Sequence, residues 1–286
     1  PTRRASLLAI STAPPTPGVL FCFGLGYTAM SLSRRLDTEG WQIRGTCRGR
    51  DRRRALAALG IKAAIFNGSV PMDPPDLLNG ATHVLLSIPP DEECDSTFLH
   101  HADLIAETTS VKWIGYLSTT GVYGNRDGGW VDETSKLQPG SSRTQRRVNA
   151  ESTWLDWGAR QGIATHIFRL AGIYGPGRSI VDQVKEGTAR RIFKPGQVFS
   201  RIHVEDIATI LSASIASPRA GGIYNVCDDE PAAPADVTSY VCGLLGVAPP
   251  PLIPIEEAEM SPMVKTFWAE NRRVHNNLIK TELGVK

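Results

Sequence analysis

Apolar residues along this chain fall into short runs with two rhythms. Dense runs rich in Val, Ile, Leu, Phe and Tyr occur at 18–24 (GVLFCFG), 41–48 (WQIRGTCR), 62–67 (KAAIFN), 82–88 (THVLLSI), 111–118 (VKWIGYLS), 164–170 (ATHIFRL) and 222–227 (GIYNVC). These predict β-strands. Between them, spacings of three and four predict helices over 27–39, 51–59, 95–109, 143–160, 204–216 and 234–246. Strands alternating with helices imply βαβ units, hence an α/β fold of Rossmann type: a doubly wound parallel sheet with helices on both faces. The near-continuous run HVLLSI fits a strand buried on both sides.

After residue 172 the pattern loosens. Proline and glycine punctuate GIYGPGR (172–178), KPGQ (194–197) and APPPLIP (248–254). The expected organisation is a flexible N-terminal tail over 1–17 and a nucleotide-binding domain over 18–172 whose sheet is completed by 203–228. A smaller C-terminal substrate lobe is expected from 173–202 and 229–286.

Composition narrows the function. The 286 residues carry 31 basic and 29 acidic side chains, a net charge of +2. A dedicated nucleic-acid binder would show a larger basic excess. No apolar run approaches the roughly 20 residues needed to span a bilayer. The cysteines (Cys22, Cys47, Cys94, Cys227, Cys242) are scattered and odd in number, so they read as small core residues in a reducing compartment, expected to be the cytoplasm. Residues 1–17 are Arg- and Ser-bearing and free of acids. If they are what remains of a transit peptide, an organelle's interior is the alternative. No metal is expected: His100 and His101 are adjacent and project in different directions on a helix, and no other acid or histidine group has ligand spacing.

The chemistry-bearing stretch is GLGYTA (24–29), at the junction of the first strand and first helix. Gly24 makes the tight turn, Gly26 lets a pyrophosphate approach the backbone, and Ala29 fills the close-packed third position. An NAD site would place an acid at the end of the second strand. Here the region reads IRGTCRGRDRRR (43–54), with arginines and one acid, Asp51. Arg52, Arg53 and Arg54 crowd a helix start, where cations oppose the helix dipole. A bound 2′-phosphate would relieve that repulsion. NADP is therefore favoured over NAD, with Arg48 the leading contact and Arg50 beside it.

The stretch YLSTTGVYGNRDGGWVDETSKLQP (116–139) resembles the extended short-chain dehydrogenase/reductase family, the NAD-dependent epimerase/dehydratase group. Further likenesses are FRLAGIYGPGR (168–178), FSRIHVEDIA (199–208) and GGIYNVCDDEP (221–231). The resemblance implies a Ser or Thr that holds the substrate oxygen, a Tyr as acid/base, and a Lys four residues later. Thr119 falls at the Ser/Thr position. Arg143 and Arg147 fall where the tyrosine and lysine belong, and no tyrosine occurs between 124 and 173. Arginine stays charged and shuttles no protons, though Arg147 can bind ribose or phosphate. The chain is thus expected to be an atypical member.

Other groups are weighed for the missing roles. Tyr123 is a candidate acid, with packing as its alternative. Tyr174 is expected near the carboxamide of a nicotinamide, again with a structural alternative. Arg143, Tyr174, Arg178 and Arg201 are the expected contacts of a small, anionic substrate. The implied cofactor set is Gly24, Gly26, Tyr27, Thr28, Arg48, Arg50, Ser87, Arg147 and Gly172. Asp206 reads as capping or orienting its turn, His203 as partly buried, and Trp130 as capping the pocket or packing its loop. Two functions stay open: an NADP-dependent oxidoreductase or epimerase-like enzyme with a non-standard proton donor, and a non-catalytic NADP(H)-binding redox sensor or scaffold. A monomer or homodimer, without membrane or nucleic-acid partners, is expected. The chain ends at ELGVK (282–286), where family members usually continue, so a further segment completing the lobe is left open.

Overall fold

The computed structural model describes residues 16–286. The expected tail lies, but for its last two residues, outside the described residues. The nucleotide-binding part runs β1 (Val19–Phe23), α1 (Tyr27–Asp37), β2 (Gln42–Cys47), α2 (Arg50–Ala57), β3 (Lys62–Ile65), β4 (His83–Leu86), α3 (Ser96–Glu107), β5 (Trp113–Thr119), β6 (Trp130–Val131), α4 (Ser142–Gln161) and β7 (Ala164–Leu170). There follow β8 (Gly172–Tyr174), α5 (Ile180–Lys185), β9 (Arg191–Phe193), β10 (Arg201–His203), α6 (Val204–Ala216), β11 (Gly222–Val226) and α7 (Pro234–Leu244). The chain closes with β12 (Leu252–Pro254), α8 (Pro262–Trp268), β13 (Arg273–Val274) and α9 (Asn277–Leu283).

Seven strands form one parallel sheet in the order β11-β7-β5-β4-β1-β2-β3. All seven strands read from the sequence are present. Their alternation sorts the core onto two faces. Phe21, Phe23, Val84, Leu86, Ile114 and Tyr116 pack on one side; Leu20, Cys22, Leu85, Trp113 and Leu117 pack on the other. Strand order reverses between β1 and β4. The crevice at the carboxyl ends of those strands is where open α/β sheets bind ligands. Three two-strand ribbons shape that end: β8 with β10, β9 with β12, and β6 with β13. In the last, the Arg273 amide donates to Gly129 and the His275 amide to Val131, so residues 271–276 stitch down the loop after β5.

A buried polar network fixes the ends of β5 and β7. Arg169 on β7 and Glu151 on α4 are each 3% exposed and form an ion pair at 2.8 Å. Ser118 donates to the same carboxylate. Arg169 also donates to the Tyr123 hydroxyl at 2.9 Å, and Tyr123 donates onward to Asn225 at 2.7 Å. The Asn225 amide donates to Glu133. Buried charge is tolerated only when paired and hydrogen-bonded this fully.

Removing one member strands its partner in the core. Arg169→Met is expected to lower the unfolding free energy by about 3–5 kcal/mol, read as a shifted urea midpoint. A loss no larger than that of a surface substitution would contradict the assignment.

Candidate cofactor and substrate site

The glycine turn occupies the switch point. Gly24 has φ +90°, a conformation that side chains disfavour, and an added Cβ would lie 2.9 Å from Ile88 in the loop after β4. Ser87 and Ile88 thus form the other wall. The Gly24 amide donates to the Thr46 hydroxyl at 2.9 Å, and the Leu25 amide donates to the Thr46 carbonyl at 2.9 Å. The turn is thereby tied to the last turn-facing residues of β2. Gly26 begins α1 with no side-chain cap and no acid in the first turn. A Cβ there would meet nothing within 4 Å. The first helical amides, from Tyr27, Thr28 and Ala29, have no hydrogen-bond partner among the described residues. These residues fit a dinucleotide pyrophosphate.

Thr46 is followed by Cys47, which ends β2, and by Arg48 just beyond it. Not every arginine of this stretch is available. Arg44 donates to the carbonyls of Leu77 and Asn79, Arg52 donates to the Leu25 carbonyl at 3.1 Å, and Arg54 pairs with Asp51. Arg48, Arg50 and Arg53 are exposed and have no partner among the described residues. The helix they precede or begin, α2, has no side-chain cap either.

The expected catalytic residues separate. Thr119 ends β5, and its hydroxyl oxygen accepts from the Gly121 amide at 3.1 Å. Its own O–H is left to donate elsewhere. Tyr123 is a correction. Its side chain is fully buried, its hydroxyl lies between Arg169 and Asn225, and burial above all pushes its pKa up to about 12. With no access to a substrate, it packs and does not shuttle protons.

The arginines of α4 divide likewise. Arg147 turns one nitrogen to the Leu117 carbonyl at 2.6 Å and to the Tyr116 hydroxyl at 3.2 Å, which pins α4 to β5. Arg143 is exposed and sits over the Phe267 ring at 4.8 Å, linking α4 to α8 of the smaller lobe. Trp130 stacks on His275 at 4.3 Å, so its loop packing is met by a named partner.

Of the remaining expected substrate contacts, Tyr174 and Arg201 lie within charge-interaction range of each other. Tyr174 keeps an exposed edge at the mouth, with its ring 5.2 Å from that of His203. Burial first, then Asp228 and Asp206, raises its pKa. His203 caps α6 by accepting from the Glu205 amide, while Asp206 stands in the first turn of that helix without the capping contact. Arg201 is half-buried on β10. One of its nitrogens donates to the carbonyls of Phe199 and Ala232 and braces the lobe, while the other two have no hydrogen-bond partner among the described residues. Arg178 lies apart from Arg201, over the ring of Tyr27. Gly172, expected at the cofactor, is exposed and bonds to Ser200 as β8 begins. No cluster of three or more potential metal ligands occurs among the described residues. The free cysteines are mostly buried, with Cys22 and Cys227 pushed up to about 12 by desolvation. No helix among the described residues is long and apolar enough to cross a membrane.

Several site-shaping residues escape the sequence reading: Glu151, Arg169, Asn225 and Asp228. A lone arginine inside the apolar strand ATHIFRL was the available signal, since a charge in a strand buried on both faces needs a partner. Asp228 follows β11. Its buried Oδ1 has no partner among the described residues, and desolvation is the main cause that lifts the carboxyl from 3.8 to about 6.

Comparison with known proteins agrees with the architecture. The NAD dependent epimerase/dehydratase family model matches residues 89–227. A conserved protein of unknown function from Silicibacter pomeroyi DSS is 48% identical, with 94% of this chain and 93% of that chain covered and a TM-score of 0.86. Protein YeeZ of Escherichia coli K12 is 27% identical over 250 residues, spanning 79% of this chain and 84% of that protein. The dTDP-glucose 4,6-dehydratase of Bacillus anthracis, solved in complex with NAD, is 15% identical and shares the fold at a TM-score of 0.73, with 94% and 91% covered.

Asp228 yields a pH prediction. Its folded pKa exceeds its unfolded one, so its protonated form stabilises fully below about 3.8, and that stability is lost as pH rises to about 6. Asp228→Asn is expected to raise stability above pH 6 by about 1 kcal/mol, after allowance for partial exposure, and to change little near pH 3. Thermal unfolding across pH reads this; an equal effect at both ends would contradict it.

Proposed function

We propose, from the match of residues 89–227 to the NAD dependent epimerase/dehydratase family model, that the chain binds NADP(H) and acts as an oxidoreductase or epimerase-like enzyme on a small anionic substrate. The observation that carries this reading is the open glycine turn, hydrogen-bonded to a strand that delivers the unpartnered Arg48. A bound nicotinamide would supply or accept a hydride.

The protein's own residues take the remaining parts. The amides of Tyr27, Thr28 and Ala29 receive the diphosphate. Arg48 and Arg50 take the 2′-phosphate in charge-assisted hydrogen bonds. Thr119 donates its hydroxyl hydrogen to the substrate oxygen, since its oxygen is already engaged by the Gly121 amide. With Tyr123 enclosed, Tyr174 is the tyrosine at the mouth with an exposed edge, and it holds the proton there. Arg143, on Phe267, offers a cation at the boundary with the smaller lobe.

One observation supports a second reading, a non-catalytic NADP(H) sensor. The two positions that the family gives to its proton-transferring pair hold arginines, and Arg147 is spent on Leu117 and Tyr116. Losing general acid/base assistance is typically worth about 10²- to 10⁴-fold in rate.

Stopped-flow fluorescence of bound NADPH against sugar nucleotides, aldehydes and quinones separates the two. Oxidation by any of them supports the enzyme; tight binding without oxidation supports the sensor. Arg48→Glu is expected to weaken NADPH binding by about 10- to 100-fold while NADH changes little. Unchanged NADPH affinity would remove the 2′-phosphate assignment.

A further inference from the structure

We propose that Arg178 is a cofactor-binding residue: it grips the diphosphate of the dinucleotide from the side opposite Arg48, on a turn that Tyr27 latches over the start of α1. The inference rests on the NADP(H) reading above and adds to it a cation from the far side of the crevice.

The turn 175–178 is built to lie close. Gly175 is buried with φ +150°, and an added Cβ would stand 2.7 Å from the Tyr27 hydroxyl, 2.8 Å from Val204 and 3.2 Å from the His203 ring. No side chain fits there, so the backbone is pressed against α1 and the start of α6. The Arg178 amide closes the turn on the Gly175 carbonyl at 2.9 Å. Tyr27, the first residue of α1, donates its hydroxyl to the Pro176 carbonyl at 3.0 Å across 149 residues of sequence. The Arg178 guanidinium carbon then sits 5.9 Å from the centre of the Tyr27 ring.

The electrostatics are unbalanced as they stand. Arg178 is exposed and has no carboxylate or hydrogen-bond partner among the described residues. It is held beside a helix start that lacks both a cap and an acid. A cation next to the positive end of a helix dipole is unfavourable unless an anion lies between them. Contact with Tyr27 alone is a weak reason for an arginine, because an exposed cation–π contact is worth only about 0.5–1 kcal/mol. A diphosphate between the α1 amides and the guanidinium satisfies both, and Arg's planar fork suits phosphate oxygens. The Tyr27–Pro176 hydrogen bond sets the gap that the diphosphate must fill.

Calorimetry on the full chain tests this with ADP-ribose, which carries the diphosphate, adenosine 2′-monophosphate, which does not, and NADPH. Arg178→Gln is expected to weaken ADP-ribose and NADPH about tenfold, leaving adenosine 2′-monophosphate within about twofold. Arg178→Lys should lose less, and the tenfold difference should shrink as salt is raised. Tyr27→Phe, which frees the turn and keeps the ring, should cost about two- to fivefold on the same two ligands through the lost hydrogen bond. Unfolding midpoints of the ligand-free variants serve as the control for folding. ADP-ribose binding indifferent to Arg178→Gln, or an equal loss on adenosine 2′-monophosphate, overturns the proposal while leaving the NADP(H) reading intact. A wild-type chain that binds none of the three ligands overturns both.

Discussion

The ion pair between Glu151 and Arg169 is the constraint on which the working end of the sheet depends. Two charges have been taken out of water at the point where β5 gives way to the Thr119 loop and β7 turns toward the smaller lobe. Desolvating them costs several kcal/mol per ion, which only close geometry and further hydrogen bonds offset. Ser118 and Tyr123 supply those bonds. The consequence is positional. The network fixes the loop after β5 from below, so Thr119 stands at a rigid edge. Tyr123 is the cost of that arrangement, since its hydroxyl is consumed in holding the arginine.

The crevice above has a second organisation, made from weak and uncharged bonds. Thr46 shapes the glycine turn from β2, and Tyr27 holds the 175–178 turn from α1. Both sets of hydrogen bonds lie near the start of α1, and each stands close in the chain to an arginine whose guanidinium has no hydrogen-bond or carboxylate partner among the described residues. Cations without carboxylate partners near uncapped helix starts are what the proposed phosphate-binding reading requires. The same economy explains why arginines rather than lysines recur: a fork held by its stem retains direction even when solvated.

Much of the frame was legible because it is local. The seven sheet strands and six of the helices announce themselves through runs of apolar residues. The glycine turn and Arg48 lie within one strand, one turn and the next strand. What escaped is held by distant partners. The pairings of β6 with β13 and of β9 with β12 involve two or three residues each, too few to show a rhythm, and helices α5, α8 and α9 are single-turn or two-turn pieces in a proline-rich region. Tyr123 looked available because it follows Thr119 on the same loop, yet its partner Asn225 is 102 residues away. Arg201 likewise has a distant partner that the sequence does not announce, the Ala232 carbonyl.

The ribbon of β6 with β13 bears on how the polypeptide reaches this state. The loop beside Thr119 is stitched by residues 271–276, and Asn276 reaches back to the Cys227 carbonyl while His275 receives Asn225. Those bonds join residues such as Arg273 with Gly129 and His275 with Val131, far apart in sequence, so the entropy of closing long loops must be met before they form. During synthesis the sheet strands up to β7 can assemble as they emerge, but the mouth of the crevice stays unfinished until residues 271–276 have followed. Between the emergence of β7 and that of β11 such a nascent chain would carry an ordered sheet with an open edge at β7.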